Sequence, residues 1–170
     1  MTGEFDHRNL AMLLLQARES VMSMFRPLLK QFSLTEQQWR IIRALNDYPH
    51  QEMEAGQIAR VCCILSPSLT GVLERMDRDG LIRRSRVASD QRKVIVSLTP
   101  QSQALVKRIS PLIDERYRSL ERKIGVKALD ETYRLLDTLI ETLPGDEQPA
   151  DSGGDHASRP SRRAAGGTAD

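Results

Sequence analysis

Arg83, Arg84, Arg86, Arg92 and Lys93 fall in one short stretch in which Asp90 is the only acid. Cations held that close repel one another, and the chemistry they suit is the recognition of phosphate. Guanidinium groups bind phosphate through paired, charge-assisted hydrogen bonds. The whole chain of 170 residues carries a net charge of only +2. Any nucleic-acid surface must therefore be a local patch. Immediately upstream lies SPSLTGVLERMDRDG, residues 66–80. There Leu69, Val72, Leu73 and Met76 recur at the i, i+3, i+4, i+7 spacing of one helix face. The other arc carries Ser68, Thr70, Gly71, Arg75 and Arg78. A helix start offers free N–H groups to an anion. Ser66, Ser68 and Thr70 add short hydroxyl donors, and Arg75 can reach a guanine edge or a phosphate.

Other chemistries find less support. The sequence holds no nucleophile elbow, phosphate loop or plausible carboxylate pair, so an enzyme is not expected. His7, His50 and His156 are scattered, and the two cysteines, Cys62 and Cys63, are adjacent. That pattern predicts no metal site, no disulfide framework and no cofactor. Free cysteine is most often a small buried apolar residue, although a redox-sensing thiol stays open as an alternative. No apolar run approaches the ~20 residues that span a bilayer, and the first residues lack a cleavage signal. A cytoplasmic protein with no membrane partner is expected.

These residues need elements to position them. The apolar positions from Leu10 to Leu29 give a first helix over residues 9–31, with Asn9 as cap and Pro27 set to kink it. Thr35 and Gln38 form a capping-box pattern for a second helix bearing Trp39, Ile42 and Leu45. Met53 marks a brief strand. A third helix over 56–64 turns Ile58, Ala59, Val61 and Cys62 inward. Ser66 caps the fourth, with Pro67 in its first turn, and Gly80 ends it. Residues 81–86 and 93–98 alternate as the strands of a hairpin. Thr99-Pro100 opens a fifth helix to about 124, bent at Pro111. A sixth runs over 127–143.

With aromatics at only 4%, aliphatic helix packing must build most of the core. The expected class is mainly α with a small β-hairpin wing. It is a winged helix-turn-helix over residues 35–98, flanked by N- and C-terminal helical regions over 1–34 and 99–143. Residues 144–170, rich in Gly, Pro, Ser and Asp, predict a disordered tail. A helix-turn-helix followed by a basic hairpin points to double-stranded DNA. The expected contacts are Ser66, Ser68, Leu69, Thr70, Arg75, Arg84, Arg86, Asp90 and Arg92. Asp90 either accepts from the Arg92 guanidinium and holds it extended, or simply forms the turn. A winged helix that binds protein instead of DNA is the remaining alternative.

The segments ARESVMSMFRP and LTEQQWRI, then DRDGLIRR, SDQRKV and SLT, resemble the MarR family of winged-helix regulators. Within it they look like the branch that represses operons for homoprotocatechuate or 4-hydroxyphenylacetate degradation. The resemblance covers about residues 9–143. It implies a homodimer joined through N- and C-terminal dimerisation helices over 1–34 and 99–143, on a near-palindromic operator, with Arg92 in the minor groove. It also implies a small aromatic acid effector bound between the dimerisation helices and the winged helix. Arg18, Met22, Ser23, Trp39 and Arg40 are the expected effector contacts. An arginine suits a carboxylate, and Trp or Met suits a ring. Read without the resemblance, Trp39 is core and both arginines are salt-bridge partners. Serine stands at position 102, where the family often has glycine.

Overall fold

The computed structural model describes residues 6–143. Six helices and three strands follow one another as α1 (Leu10–Gln31), α2 (Glu36–Asn46), β1 (Glu52–Glu54), α3 (Ala55–Val61), α4 (Ser66–Arg78), β2 (Ile82–Val87), β3 (Asp90–Leu98), α5 (Pro100–Ile124) and α6 (Val126–Thr142). They fall into two compact units that divide after Gly125. The tail expected over 144–170 lies outside the described residues.

Side-chain caps set three of the helix starts. Asn9 accepts from the Met12 amide, Thr35 closes a reciprocal box with Gln38, and Thr99 accepts from the Ser102 amide. Each satisfies an N–H that the helix leaves without a partner. α1 runs on to Gln31 through Pro27, and α5 runs through Pro111 without a break. Each proline removes one ladder bond, and the flanking turns keep the helix continuous. α1 ends where Ser33 takes φ +54° and the Leu34 amide donates to Leu29 O.

The sheet is antiparallel with order β1–β3–β2. Met53 pairs with Val96, so the brief strand before α3 caps the sheet edge beside β3. Val96 and Leu98 are buried while Lys93 is exposed, as the alternation requires. Arg86 pairs with Val94, but Val87 pairs with Asp90. Gln91, Arg92 and Lys93 therefore bulge out of the ladder with no residue of β2 opposite. The strands reach further into the tip than the expected turn over 87–92.

The first unit has one aliphatic core. Ile41, Ile42 and Leu45 of α2, Ile58 of α3, Met76 of α4, Val96 of β3 and Ile109 of α5 are completely buried in it. Each fully buried chain of this size contributes about 1.5–3 kcal/mol, so α2 is the central post on which α4 and the sheet are mounted.

Candidate nucleic-acid interface

α4 buries Leu69, Val72, Leu73 and Met76 and leaves Ser66, Ser68, Thr70, Arg75 and Arg78 exposed. Two expectations change here. Leu69 is 3% exposed and belongs to the core, so its side chain is not available to DNA. Ser66 is the first helical residue and not the cap; Leu65 occupies the cap position and makes no side-chain bond. Its side chain has no polar atom. The first turn of α4 thus keeps its free N–H groups with no capping oxygen, unlike α1, α2 and α5. Free amides at a helix start attract an anion. Arg75 lies back along the polar face, with Nη1 3.8 Å from where a Cβ on Gly71 would stand.

Gly80 ends α4 in the left-handed region at φ +73°. The Leu81 amide donates to Met76 O at 2.8 Å and the Gly80 amide to Asp77 O at 3.0 Å. This six-to-one closure is the reason glycine stands there. It turns the chain directly into β2.

The hairpin sorts its cations into two kinds. Arg83, Arg86, Arg92 and Lys93 are exposed, and none makes an ion pair among the described residues. Arg84 differs. It is half-buried, its Nε donates to Asp77 at 3.2 Å and its Nη1 stands 3.9 Å from Glu74. Strand alternation puts Arg84 on the same face as buried Ile82, against α4. In the folded chain it ties wing to helix, whereas the expectation placed it among the DNA contacts. Asp90 also acts otherwise than through the guanidinium. Its Oδ1 accepts from the Arg92 backbone N–H at 3.0 Å, which fixes the bulge and leaves the Arg92 side chain uncommitted.

The expected effector residues gather at the corner of α1 and α2. Arg18 pairs with Glu19 at 2.8 Å and closely with Glu36. Arg26 joins the same two carboxylates, and Arg40 stands 3.8 Å from Glu36. The Arg26 guanidinium, with Arg18 beside it, holds the Glu19 carboxyl below its ordinary pKa. Arg40 Nη1 also donates to Cys62 O at 2.5 Å, linking α2 to the turn before α4. Trp39 and Met22 are half-buried against the core, and Ser23 donates to Ser20 O at 2.7 Å. The salt-bridge reading of Arg18 and Arg40 thus describes their state in the chain as it stands.

Sequence reasoning missed Glu36, which joins Arg18, Arg26 and Arg40. Its one signal was its place in the first turn of a capped helix. It also missed a cavity of about 490 Å³ whose walls include Phe32, Gln38, Leu81, Gln101 and Arg108. The Arg108 guanidinium stands 5.6 Å from the Phe32 ring centre there. None of the five expected effector residues lines it.

The cysteines divide. Cys62 is 1% exposed, and burial pushes its thiol up to about 11. Cys63 is exposed at φ +49°. Val61, expected inward, is exposed too, because α3 stops there and the chain reverses. Among the described residues no group of His, Cys, Asp and Glu could hold a metal. No single described helix is long and apolar enough to cross a membrane.

Comparison with known proteins agrees with this geometry. The model of the MarR family matches residues 34–94. The homoprotocatechuate degradative operon repressor of Escherichia coli is 44% identical over 149 residues, covering 84% of this chain and 99% of that protein. The crystal structure of NadR in complex with 4-hydroxyphenylacetate superposes with a TM-score of 0.71 at 38% identity, over 82% of this chain and 97% of that one. The repressor CouR, bound to a 23-mer DNA duplex, gives 0.68 at 26% identity over 77% and 92%.

Proposed function

The chain belongs to the MarR family, and on that premise we propose that it represses an operon for aromatic-acid catabolism and is released by a small phenolic acid. It is a DNA-binding transcription regulator that responds to a ligand, not an enzyme. The observation that carries the DNA contact is the pairing of an uncapped α4 with a wing whose Arg83, Arg86 and Arg92 lack carboxylate partners. Ser66, Ser68, Thr70 and Arg75 would face the major groove, and Arg86 and Arg92 would follow phosphates into the minor groove. Leu69 and Arg84 support this surface from behind.

The reading includes a homodimer acting in the cytoplasm. Residues 35–98 would read DNA, and residues 1–34 and 99–143 would join the protomers. Leu10, Met12 and Leu15 on α1 and Leu112 and Tyr117 on α5 are exposed in the single chain. On α6, taken by itself, Leu135 and Ile140 are exposed as well. Apolar surface on this scale is usually covered by a partner, and two-fold symmetry calls for a near-palindromic operator.

For the effector, likeness to the homoprotocatechuate repressor and to NadR supports a phenolic acid. Arg18 or Arg40 would take its carboxylate in exchange for Glu36, with Met22, Ser23 and Trp39 beside the ring. The test is a footprint on the DNA upstream of the chain's own gene, with and without 4-hydroxyphenylacetate. Protection of a near-palindrome, lost on adding the acid, is expected. No footprint at low salt sinks the DNA reading. A footprint that no phenolic acid alters sinks only the effector. Affinity for a protein partner that ignores salt would favour an adapter, because phosphate contacts weaken steeply with salt.

A further inference from the structure

Ser102 is the one fully buried polar residue among those described, at 0% exposure. Its Oγ donates to Leu81 O at 2.5 Å. One turn earlier, Thr99 Oγ1 donates to Gly80 O at 2.7 Å and lies 3.3 Å from Leu81 O. The same oxygen accepts from the Ser102 amide at 3.2 Å. Gly80 and Leu81 are the residues that close α4 and open β2. Gln101 Oε1 packs 3.1 Å from the Cβ position of Gly80, and Gln103 Nε2 donates to Gln51 Oε1 at 2.7 Å. The first turn of α5 is therefore bonded to the end of the helix that reads DNA, to the root of the wing, and to the turn before β1. Most other contacts of α5 with this core are aliphatic and can slide. A buried hydroxyl-to-carbonyl bond cannot slide without leaving its acceptor unsatisfied.

We propose that the Thr99–Ser102 hydroxyl pair is the joint through which α5 sets the angle of α4 and the wing, making both positioning residues for DNA binding. The proposal rests on the DNA-binding reading above for its consequence, but not for its local geometry. A movement of α5 is passed to Gly80 and Leu81 rigidly, and loss of the joint lets α4 and β2 swing on their own. Thr99 and Ser102 touch no DNA in this account; they act through α4 and the wing.

The test compares the full chain with Ser102→Ala, with Thr99→Ser as the conservative control. Hydrogen exchange is read at the Gly80 and Leu81 amides, and affinity is read on the upstream duplex. Ser102→Ala should raise exchange at those two amides about tenfold or more and weaken DNA binding about tenfold. The Ile41 and Ile42 amides should keep their protection. Thr99→Ser, which retains the hydroxyl, should behave as the parent. Ser102→Cys, close in volume but a weak donor, should show the same local loosening if Ser102→Ala is too unstable to assay. Unchanged exchange at Gly80 and Leu81 overturns the joint. So does loosening spread evenly over all amides, or local loosening with DNA affinity intact. If the parent chain does not bind the duplex at all, the DNA reading fails, and the exchange result alone decides whether the joint exists.

Discussion

In the wing, Arg83, Arg86 and Arg92 are exposed and make no ion pair among the described residues, whereas at the α1–α2 corner Arg18, Arg26 and Arg40 share Glu19 and Glu36. The residue type is the same and its state is opposite. A guanidinium already satisfied by carboxylates offers a polyanion little, since the old bond must break first. An exposed, unpaired one keeps its hydration and counterions until phosphate replaces them, which releases those ions and drives binding. Arg84 stands between the two cases: it sits on the wing yet is spent on Asp77 and Glu74. Which arginine is free to meet a phosphate therefore depends on the carboxylates near it, not on its place in a basic run. On the proposed reading an effector carboxylate would take the place of Glu36, and a corner that holds its arginines in reserve suits such a switch.

The sharpest way to break this contrast is Arg92→Ala. It should weaken operator affinity by about 1–3 kcal/mol and reduce the slope of affinity against salt by about one phosphate contact. Unchanged binding over a salt series would remove the wing from the interface. Glu36→Gln comes next. It should cost about 1 kcal/mol of stability in a melting experiment and leave DNA affinity near the parent value. Binding of 4-hydroxyphenylacetate, followed by calorimetry, should tighten as Arg18 is released. Weaker binding would mean that Glu36 itself contacts the effector. The pair Arg84→Met and Arg86→Ala sharpens the division within the wing. Arg84→Met should lower thermal stability by a few tenths of a kcal/mol up to about 1 with the salt slope intact. Arg86→Ala should lower the slope and spare stability. The reverse pattern would contradict the assignment of Arg84 to the helix–wing tie.

The smallest effect concerns Cys62 and appears only in alkali. Burial raises its pKa from the ordinary 9.0 to about 11. The folded chain then holds a proton that the unfolded chain releases. The Cys62 contribution to stability is full below pH 9.0, and it is lost as pH rises toward about 11. Cys62→Ala should flatten that part of the stability curve in a pH series of melting midpoints, after the uniform cost of a smaller core residue is subtracted. A slope that persists in the variant assigns it to another group. The same burial leaves little thiolate at neutral pH, so peroxide should not change DNA binding through Cys62.

Much of this was legible in the chain because local chemistry carries it. The Asn9, Thr35 and Thr99 caps, the stripe of α4, the glycine at position 80 and the alternation of β3 each follow from neighbours within a turn or a strand. The brief strand at Met53 followed less directly, from a single β-compatible residue between helices, and its pairing with Val96 came from the structure. What failed did so where the partner sits on a different element, beyond the reach of helix or strand periodicity. Arg84 looked like Arg86 until Asp77 was brought to its side. Leu69 reads both as part of the apolar stripe and as a DNA contact, and its burial leaves only the first. Arg40 had two possible fates, and only the positions of Glu36 and of Cys62 O show its present one.

The sequence by itself determined the helix and strand order, the basic hairpin and the winged-helix class, since periodicity, caps and turn residues act over short range. Tertiary structure alone decided which charges remain free, because ion pairing depends on distances between residues remote in the chain. It also decided that Ser102 meets Leu81. A serine in the first turn of a helix is an ordinary surface residue by sequence, and it becomes a buried joint only when α5 folds back against the end of α4.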